Sequence, residues 1–167
     1  MKIQVGGLSE GVHEYSFQSP PAEIGLSPEF DEEVRVSAVL EKSPGEFRLR
    51  AAISAGARWE CDRCVAPIRT PIETSYQMVY VLEGGPGLDP AEIQVIPASL
   101  NVIDIAEDVR QTVELSVPLK RVCAENCRGL CPYCGTNLNE GTCACEPAPA
   151  DSRWDKLKEL KNNHDVR

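Results

Sequence analysis

At 167 residues with 42% hydrophobic side chains, the chain is the size of one ordinary domain and can bury a core, which its 5% aromatic content makes mostly aliphatic. Its net charge of −9 excludes a dedicated nucleic-acid binder with an overall basic footprint. No run approaches the roughly 18 apolar residues of a membrane span, and Met1–Gly7 lacks the apolar region of a secretory signal, so a cytoplasmic protein without membrane contact is expected.

In chain order, Val34–Leu40 alternates with Val34, Val36, Ala38 and Leu40 on one face. Ser43-Pro44-Gly45 is a turn, and Phe47, Leu49, Ala51 and Ile53 then alternate in a second strand, so the two runs predict a hairpin. Ile68–Val81 is a third alternating run, and Ile93–Ile96 is one more short strand after a Gly/Pro-rich loop at 83–90. A helix begins at Asp104, an N-cap type with Glu107 three positions on. Its core stripe is Ile105, Val109, Thr112, Val113 and Leu115, and Pro118 ends it. Pro147-Ala148-Pro149-Ala150 reads as a linker, and Asp151 caps a last helix with Trp154, Leu157 and Leu160 near one side. The expected class is α+β, an antiparallel sheet with a covering helix and a C-terminal cysteine-rich zinc module. The expected domains are 1–118 for the sheet and main helix, 119–146 for the zinc module, and 147–167 for the linker and short helix.

Eight cysteines in a reducing compartment point to metal or redox chemistry rather than disulfides. Cys61 and Cys64 form a C-x-x-C between strand-like runs; Cys123, Cys127, Cys131 and Cys134 follow, then Cys143 and Cys145. Cys131-Pro132-Tyr133-Cys134-Gly135 has the form of a zinc knuckle, in which backbone N–H groups point at sulfur and Gly permits a positive φ. Zinc takes four tetrahedral ligands at structural sites, so eight cysteines make two sets. The favoured grouping joins Cys131, Cys134, Cys143 and Cys145 locally, and Cys61, Cys64, Cys123 and Cys127 over long range. A site using Cys127, Cys131, Cys134 and Cys145 is the alternative. Thioredoxin-like chemistry would place the pair at a helix start after a strand, whereas Pro67 and the run beyond it point to a strand.

Charge is unevenly spread, −6 over residues 1–34, +3 over 35–70, −7 over 71–116 and +1 over 117–167. The cysteine-bearing stretches are the least acidic. Arg63, Lys120, Arg121 and Arg128 each lie within three residues of a cysteine, where they offset thiolate charge or offer phosphate contacts to RNA. Arg48, Arg50, Arg58 and Arg69 would extend such a face, and Tyr133 would stack on a base or pack in the knuckle. The two histidines, His13 and His164, lie near the ends outside any motif, and Gly84-Gly85-Pro86-Gly87 lacks the lysine of a phosphate loop. The expectation is a protein that is not an enzyme.

Cys61-Asp62-Arg63-Cys64, Ile103-Asp104-Ile105 with Leu115-Ser116-Val117-Pro118, and Cys127-Arg128-Gly129-Leu130-Cys131-Pro132-Tyr133-Cys134-Gly135-Thr136-Asn137-Leu138-Asn139 together resemble the YceD family, the large ribosomal RNA subunit accumulation proteins. Asp151-Ser152-Arg153-Trp154 with Leu157 resembles that family's closing motif, with Ser152 in place of Pro. The resemblance implies a bacterial or plastid-type protein needed for accumulation of 23S rRNA, with rRNA or a pre-ribosomal particle as partner. The runner-up is a module binding a basic ribosomal protein or assembly factor through the acidic stretches 1–34 and 71–116. A redox-responsive zinc switch is the third reading.

Overall fold

Alternation decides the largest element of the structure, a computed structural model that describes residues 1–83 and 93–146. Strands β1 (Lys2–Gln4), β2 (Gly11–Ser19), β3 (Val34–Ser43), β4 (Glu46–Glu60), β5 (Pro67–Leu82), β6 (Ile93–Ile96) and β7 (Val102–Asp104) precede one helix, α1 (Ala106–Leu115). Five strands form a sheet in the order β2-β3-β4-β5-β6, and β1 pairs with β7 in a two-stranded ribbon. Pairing is antiparallel from β2 through β5, while the edge strand β6 runs parallel to β5. The class is α+β.

The hairpin of β3 and β4 sets the register. Leu40 pairs with Leu49, Ala38 with Ala51 and Val36 with Ile53, and all six lie in the core. Because side chains alternate between faces, one register turns these six inward and Arg35, Ser37, Glu41, Arg48 and Arg50 outward, with Val39 and Ala52 on the same outer face. Ser43 pairs with Glu46 across Pro44-Gly45, where Gly45 has φ 81, a positive value that suits Gly after Pro in a tight turn. The inner face is covered by Ile3 and Ile103 of the ribbon, by Ile24 of a 3-10 turn at Pro21–Ile24, and by Ile105, Val109 and Val113 around α1. Truncating one such residue, Leu49→Ala for example, would cost about 2–5 kcal/mol through lost transfer energy and the cavity left behind.

Helix α1 departs from the pattern expected of it. Ile105 holds the cap position, and Asp104 one residue earlier accepts from the Ala106 N–H at 3.1 Å. Glu107 does not complete a capping box; its carboxylate binds Arg110 at 2.6 Å and Gln111 at 2.7 Å. Leu115 is 86% exposed, because it lies about 200° around the helix from Val113 and so outside the stripe that buries Val109 and Val113. No described helix is long and apolar enough to cross a membrane.

Strands β4 and β5 run on beyond β3. Their register is unbroken from Glu46 opposite Val81 to Glu60 opposite Pro67, whereas β3 pairing stops at Ser54. Beyond that point Phe30 pairs with Ala57 and meets Trp59 edge-on at 5.6 Å. This extension carries Cys61–Cys64 at its tip. The chain divides into two units, Met1–Cys127 and Arg128–Arg167. Residues 84–90 of the expected loop at 83–90, the linker at 147–150 and the helix starting at Asp151 lie outside the described residues.

Candidate metal centres

The first cysteine group sits within Met1–Cys127. After β4, Cys61–Ala66 closes the hairpin. The Cys61 N–H donates to the Ala66 carbonyl at 2.9 Å, and the Val65 N–H donates to the Cys61 carbonyl at 2.9 Å. These two bonds force Val65 to φ 59, the left-handed region that a β-branched residue rarely occupies. The segment after α1 is clamped to this loop by Asp62. The Asp62 N–H donates to the Arg121 carbonyl at 2.7 Å. The Arg121 N–H donates to Asp62 Oδ2 at 2.6 Å, and its guanidinium reaches Oδ1 at 3.3 Å. That guanidinium lies 5.2 Å from the centre of the Trp59 ring. Arg63 Nη1 donates to the Cys127 carbonyl at 2.8 Å.

The result brings four thiols together. Cys61 Sγ is 3.8 Å from Cys127 Sγ and Cys64 Sγ is 3.6 Å from Cys123 Sγ; all four sulfurs lie within 4.8 Å of one another. Cys61, Cys64 and Cys127 are buried, with Ala66, Ile68 and Val122 packed around them. Burial pushes the Cys61 thiol up, but amides of Arg63, Cys64 and Cys123 aimed at its sulfur outweigh burial and bring it down to about 6. Cys123, beside the sulfurs of Cys127 and Cys64, is pushed up to about 12. Ionising one sulfur thus disfavours ionising those beside it, and four thiolates at these separations call for a cation.

The second group sits within Arg128–Arg167. The Cys131 N–H donates to the Thr136 carbonyl at 2.9 Å and the Gly135 N–H to the Cys131 carbonyl at 2.9 Å, the same two bonds that close the first loop. Here Gly135 holds the left-handed position, with φ 73. Hydrogen bonds from the Thr136 hydroxyl, 3.1 Å from Cys134 Sγ, and from the Thr136 amide bring the Cys134 thiol down to about 6. Cys145, next to the Cys134 sulfur, is pushed up to about 12. An asparagine lattice braces the loop: the Arg128 N–H donates to Asn139 Oδ1 at 2.8 Å, the Asn139 N–H to Asn137 Oδ1 at 3.1 Å, and the Leu138 N–H to the Gly129 carbonyl at 2.9 Å. The sulfurs of Cys131, Cys134, Cys143 and Cys145 lie within 4.8 Å of one another. Cys127 therefore stands with Cys61, Cys64 and Cys123, not with Cys131 and Cys134. Each group of four can hold a metal ion.

The basic residues near the cysteines divide by partner. Arg63 and Arg121 are engaged within the first loop, as above. Arg58 binds Asp31 at 2.5 Å, Arg69 binds Asp31 and Glu32 at 3.2 Å, and Arg48 binds Glu46 at 2.9 Å. Among the described residues, Arg50, Lys120 and Arg128 have exposed side chains without an ion-pair partner. Tyr133 is 54% exposed. His13 faces the Ser9 carbonyl at 2.9 Å. Residue pattern alone gives no sign of Asp62, Thr136 or Asn139 as site residues, although Asp62 and Thr136 stand inside or just after a C-x-x-C, where a loop-closing partner must be.

Residues 49–161 match the family model described as large ribosomal RNA subunit accumulation protein YceD. An uncharacterized protein of Mycobacterium tuberculosis is 28% identical over 152 residues, covering 84% of this chain and 69% of that one. The chloroplastic large ribosomal RNA subunit accumulation protein YCED homolog 1 of Zea mays is 37% identical over 143 residues, covering 68% of this chain and 49% of that protein. Its namesake in Arabidopsis thaliana is 32% identical over 65 residues, or 39% of this chain and 20% of that one. No solved structure matches the chain. Since the family match runs from β4 through both cysteine groups, over well more than half of the residues, this chain belongs to the YceD family of large ribosomal RNA subunit accumulation proteins.

Proposed function

We propose that the protein is a non-catalytic, zinc-holding factor that supports 23S rRNA accumulation and large-subunit biogenesis in a bacterial or plastid-type cytoplasm. The two thiol tetrads carry this reading. A tetrahedron with Zn–S bonds of about 2.3 Å has sulfur–sulfur edges of about 3.8 Å, against 3.6 and 3.8 Å for the two pairs in the first site. A disulfide would need about 2.05 Å. Four thiolates fill zinc's coordination shell and leave no open position for water or substrate, which favours a structural role over catalysis. Cys61, Cys64, Cys123 and Cys127 would tie the tip of the β4–β5 hairpin to the segment after α1, and Cys131, Cys134, Cys143 and Cys145 would hold the second loop.

Direct contact with rRNA would fall to Lys120 and Arg128, whose charges are unpaired among the described residues, with Arg63 and Arg121 already holding the first loop. Changing Lys120 and Arg128 together to Gln should leave zinc content at two ions per chain and lower 23S rRNA in cells that depend on the protein. Elemental analysis finding no zinc in reducing buffer would overturn the metal reading, and normal rRNA levels in the double variant would overturn the phosphate contact.

A second reading has its own observation. Residues 1–127 carry eleven basic and twenty acidic groups, the whole of the −9, while residues 128–167 are neutral. With most of its arginines paired internally, this unit is better suited to a basic protein partner than to RNA.

A further inference from the structure

The two knuckles of this chain are a natural comparison. In each, the N–H of the first cysteine donates two residues past the second cysteine, and the residue just after the second cysteine donates back to the first. That return residue is left-handed in both, Gly135 at φ 73 and Val65 at φ 59. Gly135 is what the geometry prefers, because only Gly takes this conformation without steric penalty. Val65 keeps a branched side chain in the same strained place, and that side chain is 53% exposed, so core packing does not explain it. Strain held where packing does not require it marks a place where the side chain has another task.

Val65 opens onto a recess of about 590 Å³ at the tip of the β4–β5 hairpin. Trp59 and Pro67 share its apolar lining with Val65, and Glu29 and Glu60 stand on its walls. The cations at the recess, Arg58 and Arg121, are held by Asp31 and Asp62. Glu29 and Glu60 form no ion pair among the described residues, which leaves the recess net acidic around an apolar floor.

We propose that this recess docks an extended basic segment of a protein, one apolar side chain seated on Val65, Trp59 and Pro67 and flanking Arg or Lys residues paired with Glu29 and Glu60. The assignment rests on the reading of a basic protein partner and names its site. The volume falls within the usual range of side-chain and small-ligand clefts, and an apolar anchor between charge pairs is how short segments gain both affinity and register.

The test uses the zinc-loaded full chain and fluorescein-labelled overlapping peptides from the basic proteins of purified large ribosomal subunits, read by fluorescence anisotropy. Binding of at least one peptide is expected, weakened about tenfold or more by Val65→Gly. Zinc content should be unchanged, since Gly fits the backbone there. The double variant Glu29→Gln with Glu60→Gln should also weaken binding and flatten its salt dependence. Peptide binding unaffected by either variant would overturn this site while leaving a basic protein partner standing. Binding of 23S rRNA fragments with no peptide bound, or binding of neither, would overturn both the site and that reading.

Discussion

Replacing Gly135 by Ala isolates one backbone term at the second metal centre. A Cβ built on Gly135 meets nothing within 4 Å, so the substitution adds neither a clash nor a contact. What remains is the cost of holding an L-residue at φ 73, about 1–2 kcal/mol. With zinc ordering the loop, as proposed, that penalty appears in metal affinity, as a loss of roughly 5- to 30-fold. The measurement is zinc competition against a chromophoric chelator in reducing buffer, made in a Cys64→Ser background so that only Cys131, Cys134, Cys143 and Cys145 form a full set. Unchanged affinity would show that Gly135 need not be left-handed for binding. A loss beyond about a hundredfold would mean that the side chain meets something, and either result refutes the argument. In the mirror experiment, Val65→Gly in a Cys134→Ser background should not weaken the first site, because relief of strain is offset by the freedom Gly gains in the unfolded chain.

Chelation should open the cysteine-rich stretch before the sheet. Exchange of the Cys131, Gly135 and Leu138 amides should speed up while those of β3 and β4 stay protected, since apolar burial rather than metal holds the strands; simultaneous exchange would contradict this. Arg63→Met should weaken the first site by about 1–3 kcal/mol by leaving the Cys127 carbonyl without its 2.8 Å donor, read as zinc affinity in the Cys134→Ser background; equal affinity would show the bond idle. Tyr76 has a buried hydroxyl with no partner among the described residues, and burial raises its pKa. The neutral phenol's contribution is therefore full below about pH 10 and lost as pH rises beyond it. Tyr76→Phe should be neutral or stabilising by about 1 kcal/mol and should move the midpoint of alkaline unfolding upward, whereas clear destabilisation at neutral pH would reveal a partner for the hydroxyl.

Strand β3 and the part of β4 up to Ile53 were legible residue by residue, because a half-buried sheet writes its two faces into alternate positions; the rest of β4 was not, because Ala55, Gly56 and Ala57 are buried in succession and break the alternation. Strand β2 was not, because on its inner side Tyr15 and Phe17 are only half-buried at a sheet edge, and His13 and Ser19 dilute the alternation. Leu115 looked like core by spacing from Thr112, but the helix had already turned it outward. The parallel pairing of β6 is likewise absent from its four residues, since any short apolar run can join an edge in either direction.

The sequence by itself determined the C-x-x-C pattern of the cysteines and the inward face of the central hairpin, since both depend on spacing within a few residues. Only the tertiary structure decided which thiols share a centre, and it did so through bonds between distant segments: Asp62 to Arg121 and Arg63 to the Cys127 carbonyl. It also decided that Arg63 and Arg121 brace the first loop. Each of these follows from where two remote stretches of backbone meet, and local pattern carries no record of that meeting.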